Sequence, residues 1–579
     1  MLLAIFNVIL LILSFGNLVV FACVGEPIAD TLTGKVHGSK AQDSEGDEYC
    51  SFKGIPYAKP PVGDLRFREP QPAEPWTEVR EAMVFGENCL QYDLLSHRIK
   101  GIEDCLHLNV YTKSLQQGAR RPVMVWIHGG AFVCGSGDDD IYGPENFMRK
   151  DIVLVTLNYR LGVFGFLNYD DESASGNQGL KDQVLALQWV RDNIAHFGGD
   201  PNSVTIFGES AGSASVHYLA ISPLARGLFH RVICQSGMVQ NPWSFLSNPK
   251  KMALRLTNNF NYTGKDPKQA VQFLRTVDAL KLAEAQENLL TPEEKLQAIF
   301  PFVPTVDLKS KKPFMPVHPE ILAAEGIQVP SIIGHNSREG ILFYRNITKN
   351  YEKFNKEYHQ IVHPEVKNIL KNYGLTLEDI KHVYFDNDSV TKENMDNLVD
   401  LFGDLYFVEG INRALKIQIE RSSAPTYFYQ FTYDKTLSFI KMWVHTRMSG
   451  ASHADELFFL FRPHYLDSKN PYPKKDSDKY RITQQMIELW TNFAATGLPT
   501  PKLTEVVPIL WQPIHNGTVL RYLNICEDLC MEATLSLEQK YYVKLLPAEP
   551  SSGRINYNSL SLTSFIFVIV MFNQLIDGF

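Results

Sequence analysis

The chain has 579 residues, 45% of them apolar and 21% charged, an ordinary globular balance that sets aside disordered and collagen-like classes. Its formal net charge of −8 is spread along the chain with no basic block, which argues against a nucleic-acid partner. The length suffices to bury a large core. No internal repeat or low-complexity linker divides the body of the chain, so residues 25–550 read as one large domain.

The chain opens with "MLLAIFNVILLILSFGNLVVFACV" (residues 1–24), which has no charged side chain and ends at the small residues Ala22, Cys23 and Gly25. It reads as a secretory leader cut at Ala22 or Gly25, and left uncut it is long enough to be a signal anchor. Either way the body is delivered outside the cytosol. Cys89 and Cys105 then bracket a loop of the size at which a disulfide contributes about 3 kcal/mol, two free thiols being the alternative. Cys50, Cys134 and Cys234 read as buried thiols that pack like small hydrophobes.

From residue 120 to 235 strands and helices alternate. "PVMVWIH" (122–128) and "DIVLVTLNYR" (151–160) are valine- and isoleucine-rich, as strands buried on both faces are. "HGGAF", His128 to Phe132, follows the first of them, and its glycines let backbone N–H groups approach a ligand. Residues 177–197 place Leu180, Val184, Leu187, Val190 and Ile194 on one helical face. "SVTIF" (203–207) is the next strand, and "GESAG" carries Ser210 between Gly208 and Gly212 immediately before another helical pattern. A Gly-x-Ser-x-Gly turn between strand and helix is the setting in which a serine hydroxyl is lifted clear for attack and the helix start offers N–H groups. "RVICQSG" (231–237) is a further strand. The alternation implies a parallel α/β sheet with its site at the carboxyl ends of the strands.

The middle of the chain is more helical and polar, as at "EVKNILKNYG" and "KENMDNLVDLFGD". A strand follows at "TYFYQFTY" (426–433) and a helix at residues 481–497. Sequons stand at Asn261, Asn346, Asn387 and Asn516, which with a leader favour a glycoprotein. Cys526 and Cys530 offer a second bridge, although their four-residue spacing on a helix is poor geometry for one. The chain ends on an apolar segment, Leu560 to Phe572, that would span about 20 Å as a helix against a hydrocarbon core of about 30 Å. The small triplet Ser551, Ser552, Gly553 and a polar spacer precede it, giving residues 551–579 the arrangement of a GPI-attachment signal. An ordinary C-terminal helix is the alternative.

Taken in order, "FKGIPYAKPPVGDLRF" (52–67), "EDCLHLNVY" (103–111), "VWIHGGAF" (125–132), "LNYRLGVFGF" (157–166), "GNQGLKDQ" (176–183), "FGGDPNSVTIFGESAG" (197–212) and "CQSG" (234–237) resemble the type-B carboxylesterase and cholinesterase family. The likeness covers about residues 25 to 545 and leans towards insect-type secreted esterases. It implies an α/β-hydrolase fold and a serine carboxylesterase that needs no cofactor or metal and acts on a small, apolar ester. By the same resemblance Ser210 is the nucleophile, Glu339 in "GHNSREG" the acid and His453 in "GASHADELFFLF" the base. The backbone N–H groups of Gly130, Ala131 and Ala211 match the family's oxyanion hole, Glu209 and Ser236 a hydrogen-bonding pair behind the triad, and Cys89–Cys105 its first disulfide.

The chain departs from the pattern in three places. The first disulfide loop has no tryptophan to stack on a choline group, which counts against choline esters, and only Tyr92 could substitute. Glu209 stands where juvenile hormone esterases carry glutamine at the elbow. No cysteine lies between Cys234 and Cys526, so the usual second disulfide is missing around Asn261. The rival reading from another class is a sequestering or adhesion protein on the same fold, with recognition in place of turnover; retention of Ser210 favours the enzyme.

Overall fold

The structure, a computed structural model, describes residues 23, 25–93, 96–386, 388–436, 438–466, 472–515 and 519–545. Eleven strands build its main sheet: β1 (Ser39–Gln42), β2 (Glu48–Pro56), β3 (His107–Thr112), β4 (Arg121–Ile127), β5 (Val153–Leu157), β6 (Gly199–Glu209), β7 (Arg231–Gln235), β8 (Ser331–Asn336), β9 (Thr426–Phe431), β10 (Leu520–Ile525) and β11 (Cys530–Thr534). Across the sheet they run β11-β10-β9-β8-β7-β6-β4-β5-β3-β2-β1. Neighbours from β5 through to β10 are parallel, and both margins are antiparallel.

Side chains alternate between the faces of a strand, so the sheet separates two cores. Val123, Val125, Ile127, Val204, Ile206 and Val232 enter one of them. Their neighbours Met124, Trp126, Phe207 and Ile233 enter the other. The first core is covered by α1 (Gln178–Asn193) and α2 (Ala211–Ile221), whose buried residues include Leu180, Val184, Leu187 and Val190. Three further helices are α3 (Met395–Gly403), α4 (Glu409–Arg421) and α5 (Asp478–Thr496). The second core packs on Ile482, Met486 and Trp490 of α5. A last helix, α6 (Leu537–Leu545), follows β11. The expected strands and helices are therefore present, with ends that tertiary contacts set. Residues 194–197 form a 3₁₀ turn instead of continuing α1, and Asn193 turns its side-chain oxygen to the N–H of Leu32 at 2.7 Å. The strand expected over 151–160 stops at Leu157, beyond which Arg160 makes a buried two-pronged ion pair with Asp182.

The cysteines need one correction. Cys89–Cys105 is bonded, whereas Cys50 is not a free buried thiol: it is bonded to Cys23. Cys134 and Cys234 are buried thiols. Cys526 and Cys530 lie on no helix; they flank the turn joining β10 to β11. Beside Asn261, Tyr262 stacks on Phe273 with ring centroids 4.8 Å apart, an aromatic contact that holds the loop where the second bridge is missing. Asn261 and Asn346 are exposed, while Asn387, Asn516, residues 1–22 and the 551–579 tail lie outside the described residues. Among the described residues no helix is long and apolar enough to cross a membrane.

Candidate active site

Parallel strands present their carboxyl ends along one edge, and the expected site residues collect there. β4 leads into Gly129–Phe132, β6 into Ser210, β7 into Ser236, and β8 into the turn that carries Glu339. Ser210 sits at φ 58°, ψ −123°, a backbone position that side chains rarely adopt, just before the first residue of α2. Its N–H donates to Gln235 O (2.8 Å) and its carbonyl accepts from Ala214 (2.9 Å), which hold the turn from both sides. The flanking glycines are required by space. A Cβ on Gly212 would overlap the Ile127 carbonyl, and one on Gly208 would press on the backbone of both Gly212 and Ile127. Ala211 opens α2, as expected of a residue whose N–H faces outward from a helix start.

The "HGGAF" loop lies against this elbow: a Cβ on Gly129 would stand 3.1 Å from that of Ser210. Gly130, Ala131 and Phe132 all have positive φ (101°, 55° and 62°), a turn that needs at least one glycine to form. Buried Phe132 anchors it, edge-on to Phe166 at 5.3 Å.

Glu339 and His453 meet despite the length of chain between them. His453 Nδ1 donates to Glu339 Oε2 at 2.6 Å, and both residues are buried. The other oxygen of Glu339 accepts from Ser236 Oγ (2.6 Å) and from the N–H of Asn336 (2.7 Å), so the carboxylate has little freedom to turn. Arg338, its neighbour in sequence, points elsewhere and pairs with Asp400. Asp307, also buried, and the partly exposed Asp404 are engaged by Lys181 and Tyr384 respectively.

Glu209 takes a different place from the one expected. Ser236 does stand behind the acid, but Glu209 Oε1 faces His453 Nε2 at 2.9 Å, on the opposite edge of the imidazole. Burial alone would depress the His453 pKa; the carboxylates of Glu209 and Glu339 outweigh it and hold the pKa well above the ordinary 6.5.

Two contributors carried no assignment from sequence. Glu456, three residues after His453, is fully buried and accepts from Gln235 Nε2 (3.0 Å) and Asn336 Nδ2 (2.6 Å). Burial, reinforced by the charge of Glu209, pushes its pKa up to about 8. A glutamate one turn after His453, directly before the apolar run Leu457–Phe461, is a visible signal. Phe407, by contrast, packs its ring 4.6 Å from that of His453, and nothing local in sequence announces it. It comes from a π-helical turn, Asp404–Val408, that joins α3 to α4. Among the described residues no group of side chains is arranged to hold a metal ion.

A carboxylesterase family model matches residues 25–543. Esterase E4 of Myzus persicae is 34% identical over 542 residues, covering 90% of this chain and 95% of its own. Juvenile hormone esterase of Tribolium castaneum is 36% identical over 506 residues, covering 82% and 84%. The crystal structure of juvenile hormone esterase from Manduca sexta, with OTFP covalently attached, superposes with a TM-score of 0.77 at 30% identity, covering 90% of this chain and 99% of that one. With this sheet, this elbow and these relatives, the chain belongs to the carboxylesterase family, a carboxylic ester hydrolase on an α/β-hydrolase fold.

Proposed function

We propose that the protein is an extracellular serine carboxylesterase that works through an acyl-enzyme with Ser210, His453 and Glu339 as its triad. The observation that carries this reading is the buried 2.6 Å contact between His453 Nδ1 and Glu339 Oε2, on the same sheet edge as the Ser210 elbow. Ser210 Oγ attacks the ester carbonyl and His453 Nε2 takes its proton. Glu339 fixes the ring's tautomer and stabilises the imidazolium, and Glu209 adds a second negative charge beside Nε2. The N–H groups of Gly130, Ala131 and Ala211 receive the oxyanion, each worth about 3 kcal/mol. The imidazolium then protonates the leaving alcohol, and water releases the acid by the same route. No cofactor enters the scheme.

The substrate is a small apolar ester. Phe407, with Trp243 at a ring distance of 5.7 Å, forms an aromatic wall beside His453 that suits a hydrocarbon acyl group. Secretion follows cleavage of the leader after Ala22: the Cys23–Cys50 bond requires Cys23 in the mature chain, which a cut after Val24 or Gly25 would remove. Glycans attach at Asn261, Asn346, Asn387 and Asn516, and a GPI anchor at Ser551, Ser552 or Gly553. N-terminal sequencing of the secreted protein is expected to begin at Cys23.

The decisive assay compares p-nitrophenyl acetate and longer acyl esters on the wild type and Ser210→Ala, with fluorophosphonate labelling. Ser210→Ala is expected to lose about 10⁴-fold or more in kcat and all labelling. Equal turnover by the two proteins defeats the triad. A wild type that labels but does not turn over would place the protein among ester-sequestering relatives.

A further inference from the structure

The segment that follows β7 runs from Ser236, bonded to Glu339, to the 3₁₀ turn Pro242–Ser244, and Asn241 lies buried within it. Every polar group of that asparagine is engaged. Its side-chain oxygen accepts from the N–H of Met238 (2.7 Å), its backbone N–H donates to Met238 O (3.1 Å), and its carbonyl accepts from Ser244 Oγ (2.7 Å). Its Nδ2 donates to two consecutive carbonyls, Tyr406 O at 2.9 Å and Phe407 O at 2.8 Å. We propose that Asn241 is a positioning residue that fixes Phe407 beside His453 and so sets how long an acyl chain the site accepts. The inference rests on the aromatic wall proposed above and assigns what holds it.

Tyr406 and Phe407 belong to the π-helical turn Asp404–Val408, where the ladder widens to a five-residue step, Glu409 N–H to Asp404 O. One extra residue in a turn rotates the side chains that follow by about 100°. The direction in which Phe407 points therefore depends on the turn being kept. Two side chains hold it: Asn241, and Trp243, whose indole N–H reaches Tyr406 O at 2.8 Å. Trp243 is the other ring of the wall, 5.7 Å from Phe407. Room for Asn241 comes from Gly410 near the start of α4, where a Cβ would stand 2.6 Å from Asn241 Nδ2 and 2.8 Å from its backbone nitrogen. At its other end the segment touches the elbow: a Cβ on Gly237 would overlap the Ser210 carbonyl and stand 3.2 Å from the Trp243 ring. One short stretch, residues 236–244, thus meets Glu339, Ser210 and Phe407 and sets their mutual placement.

The consequence is selectivity. Asn241 binds backbone and takes no part in bond making or proton transfer. A ring fixed 4.6 Å from the imidazole gives the apolar slot a set depth, suited to a short hydrocarbon acyl group. Each methylene that such a slot admits or excludes is worth about 10-fold or more in kcat/KM. Without the Asn241 carboxamide, Phe407 O loses its side-chain donor while Tyr406 O keeps Trp243. The turn is then held on one side only, Phe407 moves away from His453, and longer chains enter.

The test compares kcat/KM for p-nitrophenyl acetate, butyrate and octanoate on the full-length wild type, Asn241→Ala, Gly410→Ala and Phe407→Ala, with competent sites counted by fluorophosphonate labelling. The ratio between two esters on one enzyme is independent of how much of that enzyme is folded, so a merely structural role leaves it unchanged. The expected result for Asn241→Ala and Gly410→Ala is a shift of about 10-fold or more towards octanoate, in the same direction as Phe407→Ala. Their kcat for acetate per labelled site is expected to stay within a few-fold of wild type. If Phe407→Ala moves the ratio and the other two variants do not, Asn241 does not position the wall, and the wall stands. If Phe407→Ala leaves the ratio unchanged, or the wild type turns over none of these esters, the wall reading falls and the inference with it. Where Asn241→Ala yields no labelled protein, Asn241→Ser, which keeps one donor, and Gly410→Ala carry the same comparison. Failure of all three to label shows that Asn241 serves the fold as a whole and overturns the proposal.

Discussion

His453 Nε2 stands 2.9 Å from Glu209 Oε1, so the imidazole is gripped at both nitrogens by carboxylates, Glu209 on one edge and Glu339 on the other. The two charges favour the imidazolium, the form produced when Ser210 attacks. They also oppose its deprotonation, and only the neutral ring can act as base. The same contact therefore assists the transition state and raises the pH at which the resting enzyme becomes competent.

Glu209→Gln should separate these effects. Removing a negative charge beside a cation lowers the cation's pKa, so the acid limb of kcat/KM moves to lower pH. On the plateau the variant should be slower by roughly 10-fold, about 1.4 kcal/mol of charge stabilisation lost beside Nε2. pH–rate profiles of both proteins on one p-nitrophenyl ester provide the check. A limb that stays in place or moves upward would show that Glu209 does not govern His453.

Glu456 makes a prediction about stability. Its pKa is about 8 in the folded protein against an ordinary 4.5. Between those values the folded chain keeps a proton that the unfolded chain has released, so stability falls as pH rises from about 4.5 to about 8. Glu456→Gln mimics the protonated carboxyl and should flatten that slope while leaving activity near neutrality within a few-fold. Thermal melts of both proteins at intervals across the range measure it. Parallel curves would mean that Glu456 ionises normally.

Gly212→Ala addresses the elbow. The added methyl would overlap the Ile127 carbonyl at the end of β4, where backbone on both sides leaves no side chain to yield. The expected cost is about 3 kcal/mol or more, seen as a lower melting temperature and a loss of secreted protein. A melting point equal to that of wild type would show that the strand and helix have room to part.

Much of this was legible in sequence because it is local. Alternating valine-rich runs and helical stripes gave the order of β4 to β7 and of α1 and α2, and the glycines around Ser210 reflect the steric demands of a turn a few residues long. Cys89–Cys105 was readable for the same reason, as a short loop. Glu339 and His453 came only through resemblance, since no local property distinguishes Glu339 from Asp307 or Asp404; in the fold those two are engaged by Lys181 and Tyr384.

The tertiary structure alone decided what depends on chain segments meeting across long separations. It placed Glu209 on the Nε2 edge of His453, buried Glu456 against Gln235 and Asn336, and packed Phe407 beside the imidazole. It paired Cys23 with Cys50 and set Cys526 and Cys530 on either side of the turn between β10 and β11. A sequence states which groups are present and how each strand or helix must be patterned. Which carboxylate faces which nitrogen is set by the order of strands in the sheet, because that order carries distant residues to the same edge.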